Sequence, residues 1–373
     1  MTTPNQPFYF KLSMILLMLA LLCVLIIVAQ DIIVPLCFAI LLSVLLLPVV
    51  NFLERIKMGK VPSIIIALFV SLAFISAVLY FISTQVINFM DDIPTLKKQL
   101  SLHYNTIQAW VRQQFNITVR EQDNLVTDAT EQLKSSGSVY IGQTFFSVTK
   151  ILMLLLLLPV YAFLILYYKD MLKKFIIDVF SDKHESKVRD VLNESRSIVQ
   201  SYMVGLLIEM AIVSAINITG FLIIGIKYAF FLGVLAAIFN LIPYIGMLIA
   251  TVFCMIITLT TTQQISDVLW VAVILIVVQF IDNNIIMPKV VSGKVKVNAL
   301  MSILGVLTGG ALAGISGMFL SLPGIALLKV IFERVDELKP WGMLLGDEIT
   351  GTHQNKYVKK IMQSRQHKPI AKK

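Results

Sequence analysis

LAAIFNLIPYIGMLIA, residues 235–250, is apolar enough to lie in a bilayer, yet it carries Asn240, Pro243 and Gly246 where a spanning helix tolerates interruption least. Proline removes a helix hydrogen bond and clashes with the preceding turn, while glycine loosens the backbone. The apolar stretch around it runs over residues 228–262, too long for one span, which needs about 17 to 25 residues. Residues 299–332 repeat the feature with Gly309, Gly310, Gly314, Gly317 and Pro323-Gly324. Two long apolar stretches, each broken near its middle, therefore decide the fold.

Composition fixes the solvent. Of 373 residues, 57% are hydrophobic and 14% charged, the balance of a chain that lives in a membrane. The first apolar run is followed by Gln30-Asp31 and at once by a second run, with no small-residue cleavage site before a polar start, which predicts an uncleaved helix. Cys23, Cys37 and Cys254 all stand in apolar runs, where a thiol acts as a small hydrophobe, so neither a disulfide framework nor a metal site is expected. No motif implies a cofactor. The net charge of +9 is concentrated in a tail, residues 352–373, with seven Lys or Arg, no acid and Tyr357 as its only aromatic. Such a tail on a membrane protein predicts contact with anionic lipid and not with nucleic acid.

Simple spans are predicted at 11–29, 32–53, 62–86, 142–168, 202–226 and 268–287. Arg55, Lys57 and Lys60 crowd the second connection, whereas the first holds only Asp31, so the amino terminus and the second connection are expected in the cytoplasm. The segment 91–141 then falls outside; Ile93, Leu96, Leu100, Tyr104, Ile107 and Val111 recur in it at helical spacing. Residues 169–200, rich in alternating charges, read as a cytoplasmic helical connector. This divides the chain into a three-helix unit at 1–90, the external insert, a fourth helix at 142–168, the connector, a transport region at 201–333 and the basic tail at 334–373.

Parity explains the breaks. If residues 228–262 crossed once, Lys289, Lys294 and Lys296 would be left outside, against the positive-inside pattern. If the stretch instead turns back at 240–246, those lysines are cytoplasmic, and a second reversal in 299–332 leaves the basic tail inside as well. Each arm of about 15 residues reaches roughly 22 Å, short of a hydrocarbon core of about 30 Å. The expectation is an all-α polytopic integral membrane protein with six full spans and two opposed re-entrant helical hairpins, the alternative being eight simple transmembrane helices. The units 202–262 and 268–332 would form an inverted pair, echoed by LGVL at 232–235 and again at 304–307.

FNLIPYIG (239–246), QFIDNNIIMPKVVSGKV (279–295) and GVLTGGALAGISGMFLSLPGIALLK (305–329) together resemble the AI-2E, or PerM-like, family of bacterial transporters. The resemblance implies a multi-pass protein of the bacterial inner membrane that exports or exchanges its solute. Family members are linked to release of the autoinducer-2 signal or to exchange of sodium or lithium for protons. Many relatives place His-Pro where this chain reads Val297-Asn298-Ala299, so no role of that histidine transfers. Glu is common in the family where Asp282 stands.

Charged residues inside spans usually face a cavity or a partner. Glu209, roughly 12 Å into the fifth span, is the first candidate for proton coupling, since a carboxyl removed from water can hold and exchange a proton; the alternative is a buried Glu bonded to Asn217 or to hairpin backbone. Asp282, Asn283 and Asn284, with Gln279 one turn above, form an oxygen-rich cluster suited to a hard monovalent cation, or else a polar helix end pairing with Lys289. Asn240, Pro243, Gly246, Thr308, Gly309, Gly310 and Ser316 stand at the proposed hairpin tips, where they would contact solute or cap their own turns. GSVYIGQT (137–144) has phosphate-loop glycine spacing but offers Gln143 where lysine is needed. GISG (314–317) has a serine but no membrane-embedded histidine to serve it as a base, which argues against an intramembrane protease. The reading is a non-enzymatic secondary transporter working by alternating access, with a membrane scaffold or regulatory subunit as the other possibility. Long apolar faces lead us to expect a homo-oligomer.

Overall fold

The computed structural model describes residues 8–91, 108–109, 112–114, 156–180, 185–242, 245–262, 264–291, 297–336 and 338–346. Most of the external insert, the first part of the fourth span, Pro243, the centre of the basic loop and the tail from 347 lie outside the described residues. The described chain is nearly all helical: α1 (Phe8–Val28), α2 (Gln30–Arg55), α3 (Lys60–Asp91), α4 (Leu156–Tyr167), α5 (Lys169–Val179), α6 (Glu185–Ile223), α7 (Ala229–Asn240), α8 (Ile245–Thr261), α9 (Ile265–Ile281), α10 (Met287–Val290), α11 (Ala299–Arg334) and α12 (Lys339–Leu345). A π-helical turn, Asp282–Ile286, joins α9 to α10.

Among the described residues, five helices are long and apolar enough to cross a membrane: Gln30–Arg55, Lys60–Asp91, Glu185–Ile223, Ile265–Val290 and Ala299–Arg334. Leu12–Val28, Leu156–Tyr167, Ala229–Asn240 and Ile245–Thr261 are shorter apolar helices. Two features differ from the sequence expectation. The fifth span and the part of the connector from Glu185 onward are one helix, α6, whose 39 residues extend about 58 Å and so project well beyond a hydrocarbon core, while the start of the connector is the separate helix α5. Between α1 and α2 there is only a bend at Ala29, carried by bonds from Ala29 N to Leu25 O and from Ile33 N to Ala29 O, each 2.9 Å.

The 36 residues of α11 are not one straight rod. Ala313 (φ −145°, ψ 27°) and Gly314 (φ 60°, ψ −144°) leave the helical region, and Gly314 occupies backbone space in which a side chain is strained. The chain reverses there. A methyl group on Gly317 would lie 2.0 Å from Gly309 O, and one on Gly305 would meet Ile325, contacts that a straight helix cannot make. Glycines at 305, 309 and 317 thus let the two arms approach backbone to backbone. Lipid is as apolar as leucine, so in a membrane close packing, and not expulsion of apolar surface from water, holds helices together. The α7–α8 pair reverses in the same way around 241–246: a methyl on Gly246 would fall 1.7 Å from Phe239 O, and Cys254 Sγ lies 3.9 Å from Leu232 O across the two arms.

The hairpins open at opposite ends of the molecule. At one end Lys60 pairs with Asp170 (3.0 Å), Lys169 with Glu54 (3.2 Å), and Arg334, at the foot of α11, with Glu194 of α6. At the other, Tyr228, at the foot of α7, donates its hydroxyl to Asn88 O of α3 (3.4 Å) and meets Phe89 edge to face at 5.8 Å between centroids. Two apolar clusters pack the helices between these ends. Phe221, Leu232, Cys254 and Val271 tie α6, α7, α8 and α9, while Ala39, Val50, Ile64, Ala162 and Leu166 tie α2, α3 and α4. In the second cluster small residues recur four apart, Ala39 with Ser43 and Ser63 with Ala67, and Ser43 Oγ donates to Ala162 O at 3.3 Å.

Candidate functional site

Glu209, Val213 and Asn217 recur every four residues along α6, so one stripe of that helix carries two polar side chains to the same neighbours. Glu209 is 6% exposed and Asn217 2%. Gly205, one turn earlier on the stripe, has no side chain because the backbone of Val290 and Val291 passes there; a methyl would come within 2.7 Å of Val290 O. This contact seats the end of the α9–α10 helix against α6.

Asp282 opens the π turn. Pro288, six residues on, has no N–H to give and would clash with the carbonyl four residues before it, and a π turn relieves that conflict by widening the coil. The widened turn leaves Asp282 inward, 2% exposed, with Asn283 and Asn284 exposed on the other side. Asn240 is the last residue of α7, where bonds from Ile242 N to Phe239 O (3.0 Å) and from Gly246 N to Ile242 O (2.9 Å) wind the chain into the reversal. Its side chain reaches both carboxylates. Asn240 Nδ2 donates to Asp282 Oδ2 at 2.9 Å and approaches Glu209 Oε1 at 3.5 Å, the outer limit of a hydrogen bond.

Three elements distant in sequence therefore converge on two buried carboxylates and one amide. Among the described residues no lysine or arginine pairs with either acid, and Glu209 Oε2 and Asp282 Oδ1 have no hydrogen-bond partner. Beside them, Asn217, Asn240, Thr251 and Gln279, with the apolar Val213 and Leu275, line a partly open cavity of about 20 Å³, room for one water-sized occupant. Asn217 Oδ1 and Thr251 Oγ1 are likewise without a protein partner.

Of the residues expected to act, Glu209, Asn217, Asn240, Gln279 and Asp282 come together. Gln279 also donates to Asn283 Oδ1 at 3.0 Å, and Asn284 donates to Phe280 O at 2.8 Å, so the two asparagines after Asp282 are engaged on the exposed side. Gly246 is consumed in closing the first hairpin, and Pro243 lies outside the described residues. Thr308 donates to Leu304 O at 2.7 Å, a bond within its own helix; Gly309 and Gly310 face Gly317 and Met318 of the opposite arm, and Ser316 is half-buried. No described hydrogen bond links this second tip to the carboxylates. Thr251 escaped the sequence reading. It stands seven residues before Thr258 with Cys254 between them, a helical spacing that marks one polar face of α8.

Asn298, noted in the sequence only as the place of an absent histidine, has a structural role. Its side-chain oxygen accepts from Met301 N (2.8 Å) and caps α11, while its Nδ2 donates to Leu344 O (2.6 Å) and Gly346 O (3.0 Å) at the end of α12.

A multi-pass helical membrane protein, with two broken hairpins and a carboxylate pair buried where one of them meets a long helix, belongs to the broad class of membrane transport proteins in its architecture. The chain is a member of the AI-2E family transporter family, whose model matches residues 14–337. It is 25% identical over 300 residues to YueF of Bacillus subtilis, named as a proposed transport protein, covering 78% of this chain and 80% of that one. A second proposed transport protein of the same organism, YrrI, is 26% identical over 314 residues, covering 82% and 86%. A proposed transport protein of Haemophilus influenzae is 25% identical over 338 residues, covering 86% and 91%.

Proposed function

We propose that the protein is a secondary transporter that exchanges a small cation for protons through Glu209 and Asp282. The observation that carries this is the buried pair itself: two carboxylates joined by a single amide, with oxygen atoms that lack donors and no basic partner among the described residues. An arriving proton or a monovalent cation such as sodium or lithium supplies what those oxygens lack. The two compete for the same atoms, so carrying one in each direction is exchange. The cavity next to the pair, about 20 Å³ and lined by Asn217, Asn240, Thr251 and Gln279 but by neither acid, has room for a water-sized occupant, which supports an ion more than an organic solute such as an autoinducer-like molecule.

Alternating access follows from where Asn240 sits. It is mounted on a hairpin, while Glu209 and Asp282 are mounted on α6 and on the π turn after α9. Movement of the hairpin against those helices makes and breaks the amide bridge, exposing the acids to one face at a time. In this reading both hairpins are re-entrant, the protein lies in the bacterial inner membrane with both termini in the cytoplasm, and the ion pairs around Lys60, Lys169 and Arg334 mark the cytoplasmic end. The opposite openings of the hairpins support this arrangement. Cysteine substitution at Lys294 and Lys296 tests it: labelling by an impermeant thiol reagent from outside intact cells contradicts a cytoplasmic loop.

Purified protein in proteoliposomes, with a pH-sensitive dye inside and sodium or lithium added across an imposed proton gradient, tests the exchange. A cation-dependent proton flux lost in Glu209→Gln supports the reading. Silence from correctly oriented wild-type protein points to a small polar solute, and full activity of Glu209→Gln and Asn240→Ala points to a scaffold.

A further inference from the structure

Away from the carboxylate pair, the end of the molecule marked by the lysine and arginine ion pairs holds a second polar cavity that the transport reading leaves unused. Its volume is about 370 Å³, within the range of small-ligand sites, and it is an open cleft between α2, α5 and α6. Lys169, Lys173 and Arg196 line it together with Asn51, Asn193 and Asp170. The two nearby acids are already neutralised: Lys169 Nζ lies 3.2 Å from Glu54 and Lys60 Nζ lies 3.0 Å from Asp170. Lys173 and Arg196 have no ion-pair partner among the described residues, so four cations stand against two carboxylates and an excess of two positive charges faces the cavity.

The surroundings are those of a membrane interface. The apolar runs of α2 and α4 end here, at Asn51 and Tyr168, and Tyr167 and Tyr168 mark the boundary as interfacial aromatic residues do. Next to the cavity, α5 turns only Ile177 inward and leaves Met171, Leu172, Phe175 and Val179 exposed on its surface, the pattern of a helix lying along a lipid surface. A ligand seated between Lys173 and Arg196 would thus have its charged end in the cavity and apolar surface beside it.

We infer that this cavity binds a phosphate-bearing anion, the headgroup of an anionic phospholipid. Lysine meets phosphate as a point charge and arginine meets it with a planar pair of donors, and the two come here from different helices, so a bound headgroup ties α5 to the projecting part of α6. The site is built from residues other than those of the basic tail, and it rests only on the membrane placement of the chain and not on ion exchange.

The test takes the purified full-length protein in mixed micelles containing either phosphatidylglycerol or phosphatidylcholine, with bound lipid counted by native mass spectrometry and thermal unfolding followed in parallel. Phosphatidylglycerol is expected to be retained in preference to phosphatidylcholine. Lys173→Gln and Arg196→Gln should each weaken its retention about fivefold, and together about thirtyfold. Lys339→Gln, a charge loss outside the cavity, should leave retention unchanged. Equal retention of the two lipids by the wild type overturns the proposal, and this comparison decides even if the double variant fails to fold. A folded double variant that keeps the preference overturns it too. Displacement of the lipid by excess inorganic phosphate, but not by chloride at equal ionic strength, keeps the phosphate site and assigns it to a free anion instead of a headgroup.

Discussion

Asn240 and Asp282, 42 positions apart in the chain, share a hydrogen bond of 2.9 Å that joins the tip of the first hairpin to the π turn of α9. The same amide nitrogen stands 3.5 Å from Glu209, so one side chain orders both acids. Truncation by Asn240→Ala leaves two buried carboxylates facing each other without that donor. Hydrogen bonds to charged groups contribute about 1.5 to 3 kcal/mol, and the unfolding midpoint should fall accordingly. If the hairpin carries the bridge during transport, proton flux should drop by about tenfold or more. Unchanged flux and midpoint would show that the bridge is incidental.

Glycine substitutions separate the two ways in which the second hairpin depends on glycine. Gly317→Ala forces a methyl to within 2.0 Å of Gly309 O, which is backbone and cannot swing aside, so the arms must part; a loss of about 1 to 3 kcal/mol is expected. Gly314→Ala meets nothing within 4 Å but must hold φ at 60°, with an expected strain of about 1 to 3 kcal/mol. Gly324 also has open space around it and no positive φ, so Gly324→Ala should be neutral or stabilise by about 0.5 to 1 kcal/mol. Denaturation in detergent checks the order. Equal effects at 317 and 324 would contradict the packing of the arms.

Much of this arrangement is legible in the sequence because it follows from length and punctuation. Residues 228–262 and 299–332 are too long for a span and carry Pro or Gly near their middles, and the chain does reverse close to Asn240 and at Ala313–Gly314. Glu209 and Asp282 could be picked out because a carboxylate in an apolar run is rare. The sequence does not reveal which neighbours of Asp282 face inward. An ordinary helix would rotate Asn283 and Asn284 by about 100° per residue, but the π turn that Pro288 imposes changes the register, and only the structure shows both asparagines turned outward. Partnership across long separations was equally hidden. The sequence marks Asn240 as a hairpin tip but not as a bridge, and Asn298 as the place of an absent histidine but not as a double-sided cap.

That cap yields a local prediction. Asn298→Ala removes the acceptor for Met301 N and both side-chain donors to the last turn of α12, leaving the backbone bond from Asn298 N to Leu345 O (3.2 Å) to hold the pair. Loss of an N-cap costs about 0.5 to 2 kcal/mol. Because the bonds lie at the foot of the second hairpin, exchange protection should fall at the start of α11 and across α12 while α6 to α9 stay unchanged, as hydrogen–deuterium exchange would report. Protection lost throughout would mean that the cap supports α6 to α11 as a whole.

Asp336 gives the fold a pH dependence outside the membrane segments. Its carboxylate accepts from Lys339 at 2.6 Å and from Lys187 at 3.3 Å, so the foot of α11 is tied to the start of α6, and these two lysines hold its pKa below the ordinary carboxylate value. A group whose folded-state value is depressed stabilises the folded state above its unfolded value, here about 3.9, and loses that contribution as the pH falls through the lower folded value. Asp336→Asn should therefore unfold at a slightly lower temperature than the wild type at neutral pH. The difference should persist down to about pH 4 and vanish below it. High salt should shrink it as well, since all three side chains are more than half exposed and such pairs are screened by solvent. A gap between the two proteins that survives both acid and salt would mean that Asp336 acts through packing at the foot of the hairpin and not through its charge.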